Sequence, residues 1–384
     1  MTDIGSIHCT EYEADASSVV VAETPGRVHY LGEHGEPHAG LFLSSGIDRY
    51  VRVAVSARQD SSLRFFASDT GERKRTTLLN LKYKREDRWA NFIKMPLQMF
   101  LDEGYNSPGL NISFSGTIPQ NIGLASSSAL QVAAAVALRA FFHVRIDNQT
   151  LLAKLAKTHE TFFGTRGAIV DYAIMLNAKE NHFLIADEKT LNVQLVPVDF
   201  SRYKIVIMDS RVPRINVSEE IEERHCDIKT ALNILSNKRE GASFRDYLDN
   251  DRVSSMGSLL ERMRRRSLHI VHELHRVLES EQVLKQRDWQ AFSRIVNHSH
   301  ESLRDLYEVS CPEIDWLVKR AQEIEGVLGS RMTGDGFGGC TYTILEDHAR
   351  GEFDRKLEDY ERIFGFHPII YDVCPGLGAR LVPR

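Results

Sequence analysis

The sequence predicts a mixed α+β protein of two domains. Three features point there. The chain has 384 residues, more than one hydrophobic core usually organises. Runs of β-branched and alternating apolar residues gather toward both ends. Between them lies a long, charged block whose apolar residues recur at helical spacing. Hydrophobic residues make up 42% and charged residues 26%, an ordinary balance for a folded globular chain.

Residues 1–18 carry acids and no Lys or Arg, so they read as a loose N-terminal tail and not as a signal peptide. Residues 19–22 start a strand that runs into Pro25-Gly26, and 50–57, 62–67 and 110–115 read as further strands. Apolar residues at threes and fours predict a helix over 89–103. The Ala-rich run 130–142 is long enough for a buried helix, and 148–159 reads as another. Residues 183–186 and 193–197 suggest a strand pair. A strand at 203–208 marks the domain change, giving an N-terminal domain over 19–202 and a C-terminal one over 203–384. Helices are expected through 218–325. Strands at 339–345 and 369–373, separated by a helix at 349–364, close the chain.

Several function classes are disfavoured. The net charge is −5, whereas a dedicated nucleic-acid binder usually shows a basic surface. The cluster Arg262, Arg264, Arg265 and Arg266 is flanked by Glu261 and Glu273 and reads as a solvated helix face. No run approaches about 18 apolar residues, so no membrane span is expected. Five scattered cysteines without a C-x-x-C pair suggest neither zinc nor a disulfide framework. Reduced thiols in a cytoplasm fit best.

The clearest chemical signal is Pro119-Gln-Asn-Ile-Gly-Leu-Ala-Ser-Ser-Ser-Ala129, which follows a strand and opens the Ala-rich helix. Gly123 permits a tight turn. Ser126, Ser127 and Ser128 bring hydroxyls beside the free N–H groups of a first helical turn, where anions are favoured. A phosphate chain suits such a site, and a plain helix cap suits it equally. A Walker A loop is absent. A second glycine cluster, Gly334-Asp-Gly-Phe-Gly-Gly-Cys340, leads into a strand and fits either a ligand contact or a simple turn.

These stretches resemble the galactokinases of the GHMP kinase family. Pro25-Gly-Arg-Val-His-Tyr-Leu-Gly-Glu-His34 is similar to the first galactokinase signature, the 119–129 loop to the second GHMP motif, and Arg331-Met-Thr-Gly-Asp-Gly-Phe-Gly-Gly-Cys-Thr341 to the third. They stand in the family's order. Trp89-Ala-Asn-Phe-Ile-Lys94, the stretch 297–318 and Gly378-Ala-Arg380 add to the likeness. The resemblance implies an N-terminal ribosomal-protein-like domain and a C-terminal ferredoxin-like domain with added helices. It also implies transfer of a phosphoryl group from ATP, with Mg2+, to the anomeric hydroxyl of a hexose, galactose first among candidates. The partner is then a small-molecule sugar. A monomer is the expected state, with an oligomer left open.

The resemblance also assigns roles. Asp171 matches the catalytic aspartate that orients or deprotonates the attacking hydroxyl. Arg27 matches the catalytic arginine, which could hold Asp171 ionised and neutralise the transferred group. Glu33 and His34 match sugar contacts. Trp89 matches an aromatic beside adenine. Pro119, Gly123, Leu124, Ala125, Ser126 and Ser128 would line the phosphates, with Ser127 nearest to Mg2+. Gly336 and Gly338 would let the third motif press on the same cleft.

Departures from the family pattern cluster at the sugar and metal. Gly35-Glu36-Pro37 replaces Thr-Asp-Tyr, so a longer Glu36 stands for the sugar-gripping aspartate. Glu219 replaces a tyrosine at the sugar. Ala168 replaces a glycine, and Asp335 replaces another in the third motif. His159 occupies the magnesium-side glutamate position, with Glu160 next to it as the candidate ligand, about 100° around the helix. Two other readings remain open. One is a catalytically weak relative that binds sugar and ATP as a sensor. The other is a kinase for a modified hexose, where Glu36 and Glu219 disfavour an acidic substrate unless a cation such as Arg166 compensates.

Overall fold

The computed structural model describes residues 3–36, 38–249 and 253–383. Its first sheet has eight strands: β1 (Val20–Leu31), β2 (Leu41–Ala57), β3 (Ser62–Ala67), β4 (Glu72–Thr77), β5 (Leu110–Gly116), β6 (His182–Asp187), β7 (Val193–Pro197) and β12 (Arg380–Leu381). The main path runs β12-β1-β2-β5-β3-β4, and β6 joins the far end of β2 and carries β7. Among the described residues only the β3–β5 pair is parallel. The second sheet has the order β11-β8-β10-β9, built from β8 (Tyr203–Asp209), β9 (Val327–Thr333), β10 (Cys340–Glu346) and β11 (Ile369–Val373).

The segment 1–18 is not a loose tail over its described part. Ile4–Tyr12 forms helix α1, capped by the Asp3 side chain. Ile4 is buried with Val19 and Ala54. His8 bridges Ser113 Oγ at 2.9 Å and Ser56 Oγ at 2.8 Å. The alternation expected of an amphipathic helix is weak here because only one side of so short a helix touches the sheet.

Helix α2 (Asn91–Asp102) starts two residues later than expected. Arg88 breaks the helical path at φ 48°, ψ −119°, which leaves Trp89 in a preceding 3₁₀ turn. Helices α3 (Ser126–Phe141), α4 (Asn148–Phe163) and α5 (Ile169–Asn177) follow. Nearly every α3 side chain from Ser128 to Leu138 is buried, which explains its Ala-rich composition: small side chains let β1 and β2 approach on one side and α2 on the other. The charged middle forms α6 (Val217–Leu235), α7 (Glu261–Lys285), α8 (Trp289–Ser302) and α9 (Pro312–Gln322), and α10 (Arg350–Phe364) precedes β11.

The two sheets share one core. Tyr30 of β1 packs edge-on to Tyr342 of β10, whose hydroxyl donates to the Tyr30 carbonyl at 2.7 Å. Strand β1 therefore carries its C-terminal end into the junction between the sheets. The first motif sits there, facing the third.

Candidate active site

Four stretches of backbone meet at this junction. Arg27 and His29 stand two apart on β1, so the strand's period of two points both to one face. Asp171 is buried in the first turn of α5. Its Oδ1 accepts from Arg27 Nε at 2.5 Å and lies 3.3 Å from His29 Nε2. Its Oδ2 accepts from Ser128 Oγ at 3.1 Å. Burial alone pushes the Asp171 carboxyl up, but the Arg27 charge and the bonds from His29 and Arg27 outweigh it and hold the group below the ordinary carboxylate range. Burial, reinforced by the Arg27 charge, pushes His29 down. A neutral His29 then donates from Nε2 to Asp171 and accepts at Nδ1 from Ser44 Oγ, 2.6 Å away.

The loop before α3 is shaped to meet an anion. Asn121, Gly123 and Ala125 have φ of 63°, 90° and 59°. Alternation of that kind turns successive N–H groups toward one side. Ala125 is the helix N-cap and no side chain caps α3. The serines thus do not serve as the cap that their sequence equally allowed, and the first-turn donors stay available. Arg27 fixes the loop from behind. Its Nη1 donates to the Gly123 carbonyl at 2.5 Å and its backbone N–H to the Leu124 carbonyl at 3.2 Å. Pro119 is half-buried at the loop's start, Ser126 is half-buried and Ser127 is exposed.

Beside this loop lies a pocket of about 340 Å³, within the usual range for a small ligand. Arg27, His29, Glu33, His34, Glu36 and Asp171 line it, with Gly123 and Ala125 from the loop and Ala168 at the start of α5. Phe42, Ile221, His225, Gly334 and Asp335 complete it. Asp335, in the departing glycine position, is held by Arg214 Nη2 at 3.0 Å.

Glu33 and Glu36 differ sharply. Glu33 Oε2 is taken by Arg331 Nη1, and Oε1 by Thr333 Oγ1 at 2.9 Å and by the Gly334 N–H. A carboxylate has about four lone-pair sites, so Glu33 keeps little capacity for a sugar. It clamps the first motif to the third. Among the described residues Glu36 accepts only the Val170 N–H, at 3.0 Å. Burial and the Asp171 charge push its carboxyl up to about 8. At neutral pH it is an acid with a proton to donate. His34 stacks on Tyr307 with ring centroids 4.4 Å apart, and its Nε2 has no partner among the described residues. Burial pushes it well down, so it meets the pocket as a neutral ring.

Several expected positions lie elsewhere. Glu219 is exposed on α6 and does not line the pocket; Ile221 and His225, later on the same helix, do. Glu160 is exposed, and the neighbouring His159 is engaged with Tyr172 at 2.7 Å and Gln131 at 3.1 Å. Neither lines the pocket, and among the described residues no cluster of three metal-ligating side chains occurs. Gly336 and Gly338 do not press on the cleft. A Cβ at Gly336 would lie 2.3 Å from the Val309 carbonyl, and one at Gly338 would lie 3.0 Å from Val212 Cβ. Their left-handed backbones serve packing inside the C-terminal half. Gly334 makes the close approach instead: its Cβ would meet Gly123 Cα at 3.3 Å. Trp89 is half-buried against Phe114 and donates to Glu72 at 2.7 Å, outside the pocket lining. Pro37 lies outside the described residues.

His29 was missed as a functional residue, although its place two after Arg27 on a strand was a usable signal. His225 was missed because only the tertiary fold brings α6 to the pocket.

Comparison with known proteins agrees with this geometry. Residues 91–179 match the GHMP kinases N terminal domain, 280–356 the GHMP kinases C terminal domain, and 6–57 the galactokinase galactose-binding signature. The chain is 36% identical to a putative galactokinase of Treponema pallidum over 100% of its length and 97% of the relative's. The chain belongs to the galactokinase family. It is 32% identical to the galactokinase of Bacillus subtilis, with 93% of each chain covered. A Lactococcus lactis galactokinase solved with galactose superposes with a TM-score of 0.91 at 26% identity, covering 98% of both chains. The family's two-domain GHMP kinase fold is therefore the fold of this chain, which is a sugar-phosphorylating enzyme of that family.

Proposed function

We propose that the chain transfers the γ-phosphoryl group of ATP to the anomeric hydroxyl of galactose. The observation that carries this is the Arg27–Asp171 pair, which joins the anion-facing loop to a sugar-sized pocket. The residues fit a phosphate chain: the α3 N-terminus is uncapped and the loop's backbone alternates in hand. For Mg2+ they offer the exposed Ser127 hydroxyl, with Glu160 also exposed on α4. A bound magnesium ion would neutralise phosphate charge.

The chain's own groups then have distinct tasks. Asp171, ionised and fixed by three donors, accepts the hydrogen bond of the attacking hydroxyl and orients it. Its depressed basicity makes it a poor base for an early proton abstraction. It suits a loose phosphoryl transition state, in which the proton leaves late. Arg27 offsets negative charge between Asp171 and the phosphates. Ser126 and Ser128 present first-turn N–H groups. Trp89, half-buried against Phe114, is the aromatic that would neighbour the base. Glu36 donates to a hexose hydroxyl and His34 offers its free Nε2. Among the described residues no helix is long and apolar enough to cross a membrane.

A hexose with an acidic substituent is not favoured, because Arg166 of the neighbouring hollow is paired with Glu188, Glu222 shares that hollow, and Asp171 and Asp335 line the sugar pocket. The test is to incubate the protein with ATP and Mg2+ and a panel of galactose, glucose, galactosamine and galacturonic acid, and to locate the phosphate by NMR. Galactose 1-phosphate is the expected product. Phosphate on another hydroxyl, or no product from any member, would refute the proposal. Binding of sugar and ATP without product would point to a sensor.

A further inference from the structure

A wider hollow of about 800 Å³ lies away from the cleft, on the outer face of the first sheet. Tyr12 and Glu11 of α1 line it, with Arg64 from β3 and Arg73 and Arg75 from β4. Strand β4 is the sheet's edge. Arg64 and Arg75 stand directly opposite each other in the β3–β4 ladder. Like charges so placed are destabilising. A neighbouring acid would normally relieve them. Here Glu11 is spent on Arg73, at 2.6 and 2.7 Å, and Glu72 lies 3.3 Å from Lys74. Among the described residues neither Arg64 nor Arg75 has a hydrogen bond or ion pair to a carboxylate. Both are exposed.

Arg73 is itself fixed, with its guanidinium 4.5 Å over the Phe66 ring and bound to α1. The face therefore has a basic frame tied to α1, with two uncompensated forks inside a concavity of small-molecule size. Guanidinium forks match phosphoryl oxygens bidentately. Edge strands also carry charge simply to prevent sheet-to-sheet pairing, but that purpose does not require two arginines to face one another across a ladder.

We propose that this outer face is a second ligand site, which takes a small multivalent phosphoryl anion between Arg64 and Arg75. The site is separate from the catalytic cleft, because none of its lining residues borders the sugar pocket. Binding would couple the β3–β4 edge to α1 through Arg73 and Glu11.

The test uses the full chain saturated with ADP, so that the catalytic phosphate loop is filled, and titrates inorganic tripolyphosphate by calorimetry. The wild type is expected to show one further binding event, weakened at least tenfold in an Arg64→Gln, Arg75→Gln double variant. Hexose phosphorylation by the double variant at saturating ATP should equal wild type, which also establishes that it folds. Without anion, Arg75→Gln alone should raise the melting temperature by relieving the repulsion, and tripolyphosphate should close that gap by stabilising the wild type more. Identical titrations of wild type and double variant, or no further event in the wild type, would overturn the proposal and leave these arginines as guards of an exposed edge.

Discussion

The two sides of the cleft are built in different ways. The phosphate-facing side is mostly backbone from one continuous stretch, the loop and first turn of α3, steadied by Arg27. The hexose-facing side is side chains from separate parts of the chain: Glu36 after β1, Ala168 before α5, His225 on α6 and Asp335 after β9. A backbone site depends on conformation and tolerates changes of side chain. A side-chain site changes whenever one residue does. Of the departures from the galactokinase pattern, Glu36, Ala168 and Asp335 fall on the second kind of surface, while the first keeps its form. Chemistry can therefore persist while the accepted sugar shifts.

Four substitutions would break or sharpen that contrast. Arg27→Met should have the largest effect. It leaves Asp171 buried without its cation and frees the loop at Gly123, so turnover should fall by about 10²–10³-fold, the scale for loss of one charge-stabilising donor. Steady-state kinetics would measure it, and near-normal turnover would detach Arg27 from the phosphate side.

Glu33→Gln should act on the fold more than on the sugar. It removes the direct counter-charge of Arg331, which is 0% exposed in its side chain. Breaking a buried pair in this way costs about 3 kcal/mol, readable by chemical denaturation. A pure loss of galactose affinity at unchanged stability would restore Glu33 to the sugar wall.

Glu36→Gln should change the dependence of stability on pH. The wild-type carboxyl moves from its ordinary value of 4.5 up to about 8 on folding. Between those values the folded state keeps a proton that the unfolded chain has released, so wild-type stability falls as pH rises through the window. The Gln variant lacks this loss, and its advantage should grow from pH 4.5 to about 8 and then level off. Equal slopes would show that Glu36 is ionised in the pocket.

Glu219→Tyr should do least. The residue is exposed and outside the pocket, so kcat/KM for galactose should stay unchanged, whereas the sequence pattern alone expects a gain. An improvement would mean that the start of α6 folds over bound sugar.

The same contrast explains what was legible in the sequence. The phosphate loop could be read because its signal is contiguous and its glycine and small residues report backbone shape directly. Strands β3 and β11 could be read to the residue from their apolar and β-branched runs. Strand β4, Glu-Arg-Lys-Arg-Thr-Thr, could not, because an edge strand with half-buried and exposed residues has no apolar face to display. Strand β9 was hidden by Gly329 and Arg331. Gly329 makes room for Val296 of α8, and Arg331 is buried by its partner Glu33 rather than by hydrophobicity. Glu33 itself looked like a sugar ligand because the sequence cannot show that residues 331–334 take its oxygens. Glu219 failed for the opposite reason: alignment of a helix start supplied a position, but the fold turned later residues of α6 inward.

The most direct test of the account is Asp171→Asn, measured for both turnover and galactose affinity. Asn keeps the shape and the contacts with Ser128 but cannot take the hydroxyl proton. The account predicts a loss of turnover of about 10²–10⁴-fold with little change in the galactose Kd. Turnover close to wild type, or a loss confined to the Kd, would contradict it.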